Sequence, residues 1–237
     1  MNTHSQGVKI EYTASKIIEL NANTLATNHI IAWDDKIKEA DYYKIIKTQI
    51  QQKLKLNGWN TIAVTSPRPG AGKTTTAINL ALSIAKDHDM TVMLVDCDLK
   101  NQQIHKYLGY KSDYGITDHL LDNVPLENLI VCPNINRLTI ISGGKTISGS
   151  TEILGSNKMG TIVHELKNRY DNRYIIFDVP SLLEGADTLA IMPYIDSVLL
   201  TVENNKTKHA DCETAVNLID REKLLGIVIN KYNSRVT

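Results

Sequence analysis

The sequence predicts an α/β protein built on a mostly parallel central sheet with helices on both faces. Three observations predict it. Short, nearly continuous aliphatic runs recur at 61–65, 91–95, 138–141, 174–177, 197–202 and 225–229, as strands buried on both faces do. Helical patterns separate these runs, which is the alternation of a parallel sheet with helical crossovers. Charged and polar residues follow several of the runs directly, where parallel sheets place their ligands.

Taken in order, residues 1–35 are mixed, with one apolar piece at Ile17-Ile18-Glu19-Leu20, and read as an N-terminal extension. Residues 36–237 read as one domain. A helix is expected over 34–56, or 36–56 within the domain proper. Its face is set by Ile37, Ala40, Tyr43, Ile45, Ile46, Ile50 and Leu54, and Asn57-Gly58 ends it. The strand 61–65 leads into a helix over 74–86 with Ile78, Ala81, Leu82 and Ala85 on one side. Beyond the strand 91–95, helices are expected at 116–121, 157–170, 187–191 and 208–219, between the remaining strands.

Bulk properties exclude several classes. Lys plus Arg and Asp plus Glu are 26 each in 237 residues, so no global field favours nucleic acid or an anionic membrane. Cys97, Cys132 and Cys212 have neither metal-site nor disulfide-framework spacing and read as packing in a reducing compartment. Met1 to Gly7 is polar, unlike a signal peptide. No apolar run nears the roughly 20 residues of a membrane span. The expectation is a cytoplasmic protein without direct membrane insertion.

Between the first core strand and helix stands Ser66-Pro67-Arg68-Pro69-Gly70-Ala71-Gly72-Lys73-Thr74. Strand, glycine-rich turn and helix in this order make a phosphate-binding P-loop. Gly70 and Gly72 let successive amides converge on phosphate oxygens. The helix start adds free N–H groups and a positive dipole end. Lys73 supplies a compact charge for the β- and γ-phosphates, and the Thr74 hydroxyl is a Mg²⁺ ligand. Pro69, Ala71 and Thr75 complete the expected contacts with Mg-ATP.

Carboxylates accompany the loop. The strand 91–95 runs into Asp96-Cys97-Asp98-Leu99-Lys100, and period-two alternation turns Asp96 and Asp98 to one side, with Cys97 packing on the other. Tyr174-Ile175-Ile176-Phe177 delivers Asp178, an acid after four apolar residues as in a Walker B motif. Such acids orient a metal or its waters, and one near an acceptor hydroxyl takes its proton.

These motifs resemble the bacterial tyrosine kinases of capsule and exopolysaccharide assembly. The likeness spans about residues 39–232. It includes His105 five residues after Lys100, Gly115-Ile116-Thr117-Asp118-His119-Leu120, the stretch from Ser150 through Ser156 to Met159, and the ending Gly226-Ile227-Val228-Ile229-Asn230-Lys231. The resemblance implies a P-loop fold of the septum-site and plasmid-partition type. It also implies Lys73, Asp96 and Asp98 as catalytic residues, with Asp96 the base, a metal site of Thr74, Asp96, Asp98 and Asp178, and Asn230 at the adenine. It further implies a homo-oligomer and a membrane partner of the polysaccharide co-polymerase, or chain-length-determinant, kind. Arg68 stands where the septum-site relatives carry a signature lysine.

The sequence departs from that family in places. Asp41-x-x-Lys44-x-x-Lys47 replaces the oligomerising Glu-x-x-Arg-x-x-Arg, which keeps charge but loses the planar fork that grips carboxylates. Lys100 replaces an arginine, and Ser181 a proline. Tyr232 stands alone where many members carry a tyrosine cluster, and Tyr42-Tyr43 is the only adjacent pair. A protein-tyrosine kinase is the first reading, and a nonkinase ATPase switch controlling an export complex is the alternative. A DNA-binding partition ATPase is disfavoured because the chain lacks a basic cluster.

Overall fold

A computed structural model describes residues 16–232; the polar stretch Met1 to Gly7 lies outside the described residues. One eight-stranded sheet organises the chain in the order β1-β4-β5-β3-β6-β2-β7-β8. The strands are β1 (Lys16–Ile17), β2 (Thr61–Thr65), β3 (Thr91–Asp96), β4 (Ile130–Cys132), β5 (Leu138–Ile141), β6 (Arg173–Asp178), β7 (Ser197–Glu203) and β8 (Leu224–Asn230). Every pairing is parallel except β4 with β5. The expected mostly parallel architecture is thus the observed one.

The aliphatic runs read as they do because both faces of the sheet are covered. Ile62, Val64, Leu94 and Ile176 face one core, while Ala63, Met93, Val95, Ile175 and Phe177 face the other. Helices α1 (Ala22–Thr27), α2 (Ala40–Asn57), α3 (Lys73–Ala85) and α4 (Ile104–Leu108) contribute to the first core. The second receives α5 (Ile116–Asp122), α6 (Ser150–Leu154), α7 (Asn157–Asn168), α8 (Asp187–Ile191) and α9 (His209–Leu218).

Helix α2 starts six residues later than its periodicity suggests. The Asp34 side chain accepts the Lys36 amide at 2.9 Å, forming a local turn that competes with helix. Gly58, at φ 67°, then caps α2 through the carbonyls of Leu54 and Lys55. Residues 16–32 pack on the first core through Ile18, Leu25 and Ile30. They are pinned by Asn79 of α3, whose Oδ1 accepts the amides of Ile31 and Ala32 at 2.7 and 2.9 Å. A lone buried asparagine inside a helical pattern gives no hint of that role.

Lys44 and Lys47 of α2 are engaged within the chain. Lys44 pairs with Asp41 and Asp35, and Lys47 with Asp87 at 2.5 Å. Tyr43 is buried, whereas Tyr42 and Ile45 face outward.

Candidate nucleotide site

The P-loop joins β2 to α3 at the carboxyl end of the sheet. Its turns need glycine: Gly70 has φ 83° and Gly72 has φ 90°. A Cβ on Gly72 would also stand 2.0 Å from Nδ2 of Asn230. That nitrogen donates to the Ala71 carbonyl at 2.9 Å, and Lys231 donates to the Gly70 carbonyl at 2.7 Å. The end of β8 therefore grips the loop from outside. Asn230, expected at the adenine, has its amide nitrogen on the loop.

From the other side, the amides of Leu182 and Leu183 donate to the carbonyls of Ser66 and Pro67, and the Ser66 and Ser181 hydroxyls meet at 3.0 Å. The segment after Asp178 is thus stitched to the loop. Arg68 makes a two-pronged contact with Asp211 of α9, both bonds at 3.1 Å.

Sheet register gathers the acids. Asp96 and Asp178 are paired neighbours on β3 and β6, and Val64 of β2 pairs with Asp178. Lys73 stands 2.7 Å from Asp98 and 3.5 Å from Asp178, and the Thr74 hydroxyl donates to Asp178 at 2.6 Å. Lys73, Thr74, Asp98 and Asp178 thus form one hydrogen-bonded group.

Asp96 has a different setting. One of its oxygens accepts the Asp98 amide, the other those of Gln103 and Ile104, at 3.1–3.2 Å. It shapes the turn that carries Asp98. Burial, with the neighbouring Asp178 charge, pushes its carboxyl up to about 7. Burial likewise raises Asp178, against the pull of Lys73. Although burial opposes its charge, Asp178 and Asp98 hold the Lys73 ammonium above its ordinary value. Two fully buried aspartates beside one lysine therefore resist being charged together. Among the described residues, no three His, Cys, Asp or Glu side chains form a self-sufficient metal cage.

A cavity of about 2180 Å³ opens over the loop, lined by Pro69, Gly70, Gly72, Lys73, Thr74, Thr75 and Asp98 among others. Asp98 is the acid of the three that faces it. A second group on its wall escaped sequence reasoning: buried Asp187 accepts from Ser150 at 2.5 Å and from Thr151, and pairs with Lys100 at 3.1 Å. Asp187 reads in sequence as an ordinary helix-start acid, and Lys100 after Asp-x-Asp-Leu was the available signal.

A family model described as "AAA domain" matches residues 59–225. Tyrosine-protein kinase CpsD of Streptococcus agalactiae is 31% identical over 210 residues, covering 86% of this chain and 90% of that one. The chain belongs to the AAA-domain family and, within it, to the bacterial tyrosine-protein kinases. Among solved structures of this kinase family, the kinase domain of VpsO matches with a TM-score of 0.70 at 28% identity, covering 84% of this chain and 98% of that one. The kinase domain of Escherichia coli tyrosine kinase ETK gives 0.81 over 94% and 90% at 17% identity, a likeness of fold. Membership of this P-loop family implies nucleotide binding.

Proposed function

We propose that the protein is an ATP-dependent protein-tyrosine kinase acting on tyrosines of other copies or of partners, in the assembly of an exopolysaccharide or capsule. The observation that carries it is Lys73 and Thr74 sharing the carboxylates of Asp98 and Asp178 at the floor of a cavity large enough for a nucleotide and an acceptor. The residues fit Mg²⁺, because the Thr74 hydroxyl and the Asp178 carboxylate are adjacent hard oxygen donors, 2.6 Å apart beside the loop. Thr74 and Asp178 would hold it, and few protein ligands suffice where phosphates supply others. Bound there, the metal neutralises charge on the phosphates.

The chain's own groups do the rest. The loop amides and the α3 N-terminus bind the phosphates, and Lys73 shifts from Asp98 towards them. Asp98, released by Lys73 and facing the cavity, keeps only the Asn101 amide on one oxygen and is better placed to accept the tyrosyl proton than Asp96, whose two oxygens hold three backbone amides. Positioning and charge neutralisation supply most of the rate in such transfers.

Among the described residues no helix is long and apolar enough to cross a membrane. We assign recruitment to the cytoplasmic face of the membrane to a partner of the co-polymerase kind. Self-association is assigned to α2, which turns Tyr42 and Ile45 outward. Incubation with Mg-ATP and that partner, read by phosphotyrosine mass spectrometry, tests the proposal. Phosphotyrosine that disappears in Lys73→Met supports it. Phosphate release with no phosphotyrosine would instead mark an ATPase switch.

A further inference from the structure

Lys100 lies outside the hydrogen-bonded group of Lys73, Thr74, Asp98 and Asp178. It lies two residues beyond Asp98 and lines the same cavity as Lys73, Thr74 and Asp98. Its ammonium stands 3.1 Å from Asp187, while 49% of its side chain remains exposed against 3% for its partner. A half-exposed lysine is thus moored to a buried acid at the edge of the nucleotide site.

The mooring is light for the acid. Ser150 and Thr151 already donate to Asp187 from the start of α6. Burial opposes the Asp187 charge, but those hydroxyls and Lys100 outweigh it and keep the carboxyl below its ordinary range. Two hydroxyl donors remain when the lysine leaves, so Lys100 is free to move at small cost, on a flexible four-carbon stem.

The other cavity lysines are committed elsewhere. Lys53 donates to the Leu225 carbonyl at 2.6 Å. Lys231 holds the Gly70 carbonyl and Glu203. Lys73 is already shared by two aspartates. Among the described residues, Lys100 is the cavity lysine whose sole partner is a side chain with other donors.

We propose that Lys100 is a catalytic cation for the transferred phosphoryl group, kept at the cavity wall by Asp187 as its positioning residue. The proposal rests on the kinase reading above. In the transfer, the bond from the γ-phosphorus to the bridging oxygen breaks, and its electrons leave with ADP. The tyrosyl oxygen forms the new bond to phosphorus, and its proton passes to Asp98. Lys100 stays an ammonium throughout and forms no covalent bond. Its contribution is to meet negative charge on the phosphoryl oxygens as the group passes between donor and acceptor.

A cation that acts at this stage is distinguished from one that merely binds nucleotide by comparing two probes. Mg·ADP represents the ground state, and Mg·ADP with aluminium tetrafluoride represents the phosphoryl group in flight. Calorimetry on the full chain is expected to give Lys100→Met a Kd for Mg·ADP within about twofold of the parent, and a Kd for the fluoride complex weakened about 10²-fold. Lys100→Arg, which keeps the charge, is expected to restore most of that loss. Asp187→Asn is expected to weaken the fluoride complex by a smaller factor, with thermal unfolding followed in parallel to read its structural cost. The proposal is overturned if Lys100→Met binds both probes like the parent, or loses both equally. A parent that binds neither probe overturns the nucleotide reading as well. A parent that binds both but yields no phosphotyrosine overturns the kinase reading alone, because the Lys100 effect on the fluoride complex then belongs to hydrolysis.

Discussion

Replacing Gly72 with alanine tests the loop geometry most sharply. Gly72 sits at φ 90°, and an added Cβ would stand 2.0 Å from the Asn230 amide nitrogen and 3.3 Å from its Cγ. Left-handed backbone costs an L-residue about 1–2 kcal/mol. Displacing Asn230 also breaks its bond to the Ala71 carbonyl, which is worth about 1 kcal/mol. Gly72→Ala is therefore expected to lose about 2–3 kcal/mol in urea denaturation. Asn230→Ala alone is expected to lose about 1 kcal/mol, for the same hydrogen bond. Because the two substitutions remove one shared interaction, the double variant should be no less stable than Gly72→Ala alone, and the cycle should show a coupling of about 1 kcal/mol. Additive losses, or a Gly72→Ala protein as stable as the parent, would refute the argument that β8 braces the loop.

Other consequences are equally open to measurement. The nucleotide-free protein should lose stability as pH rises from about 4 to 7. Burial raises the Asp96 carboxyl to about 7 in the fold, from an ordinary 3.8. The folded state thus binds the proton more tightly than the unfolded chain, and this contribution is complete below about pH 4 and is lost towards 7. Unfolding midpoints across that window should fall, and saturating Mg·ADP should flatten the trend; a rise in midpoint with pH would contradict it. Asn79→Ala should free the segment around Ile31 by removing four hydrogen bonds, to the Ile31 and Ala32 amides and the His29 and Thr75 carbonyls, with a stability loss of about 2–4 kcal/mol and faster amide exchange at Ile31 and Ala32. Unchanged exchange there would sink that reading. Thr74→Val should bind Mg·ADP more weakly while ADP alone binds as before, and equal losses for both ligands would count against Thr74 as a metal ligand.

Much of this arrangement is legible in the sequence because burial on both sheet faces writes continuous aliphatic runs. The cores of β2, β3 and β6 appear as such runs, and the P-loop sits between β2 and α3 as read. Elements of one turn, α4 and α6, are too short for a helical period to show. The strands β1 and β4 consist of two and three residues, below the length at which any pattern stands out. Asp96 and Asp98 were legible as a pair, but their different settings were not. These depend on the amides of Gln103 and Ile104, which fold back on Asp96, while Asp98 lines the cavity. Asn230 was expected at the adenine by resemblance; the partner of its amide nitrogen is the Ala71 carbonyl, a contact made across 159 positions of chain that no local pattern shows.

The most direct test is calorimetric titration of the folded protein with ADP, in the presence and absence of Mg²⁺. Buried acids beside a cradle of amides should give saturable heat with the metal present, affinity at least about tenfold lower without it (about 1.4 kcal/mol), and no measurable binding in Lys73→Met. Affinity indifferent to Mg²⁺, or no heat under either condition, would contradict it.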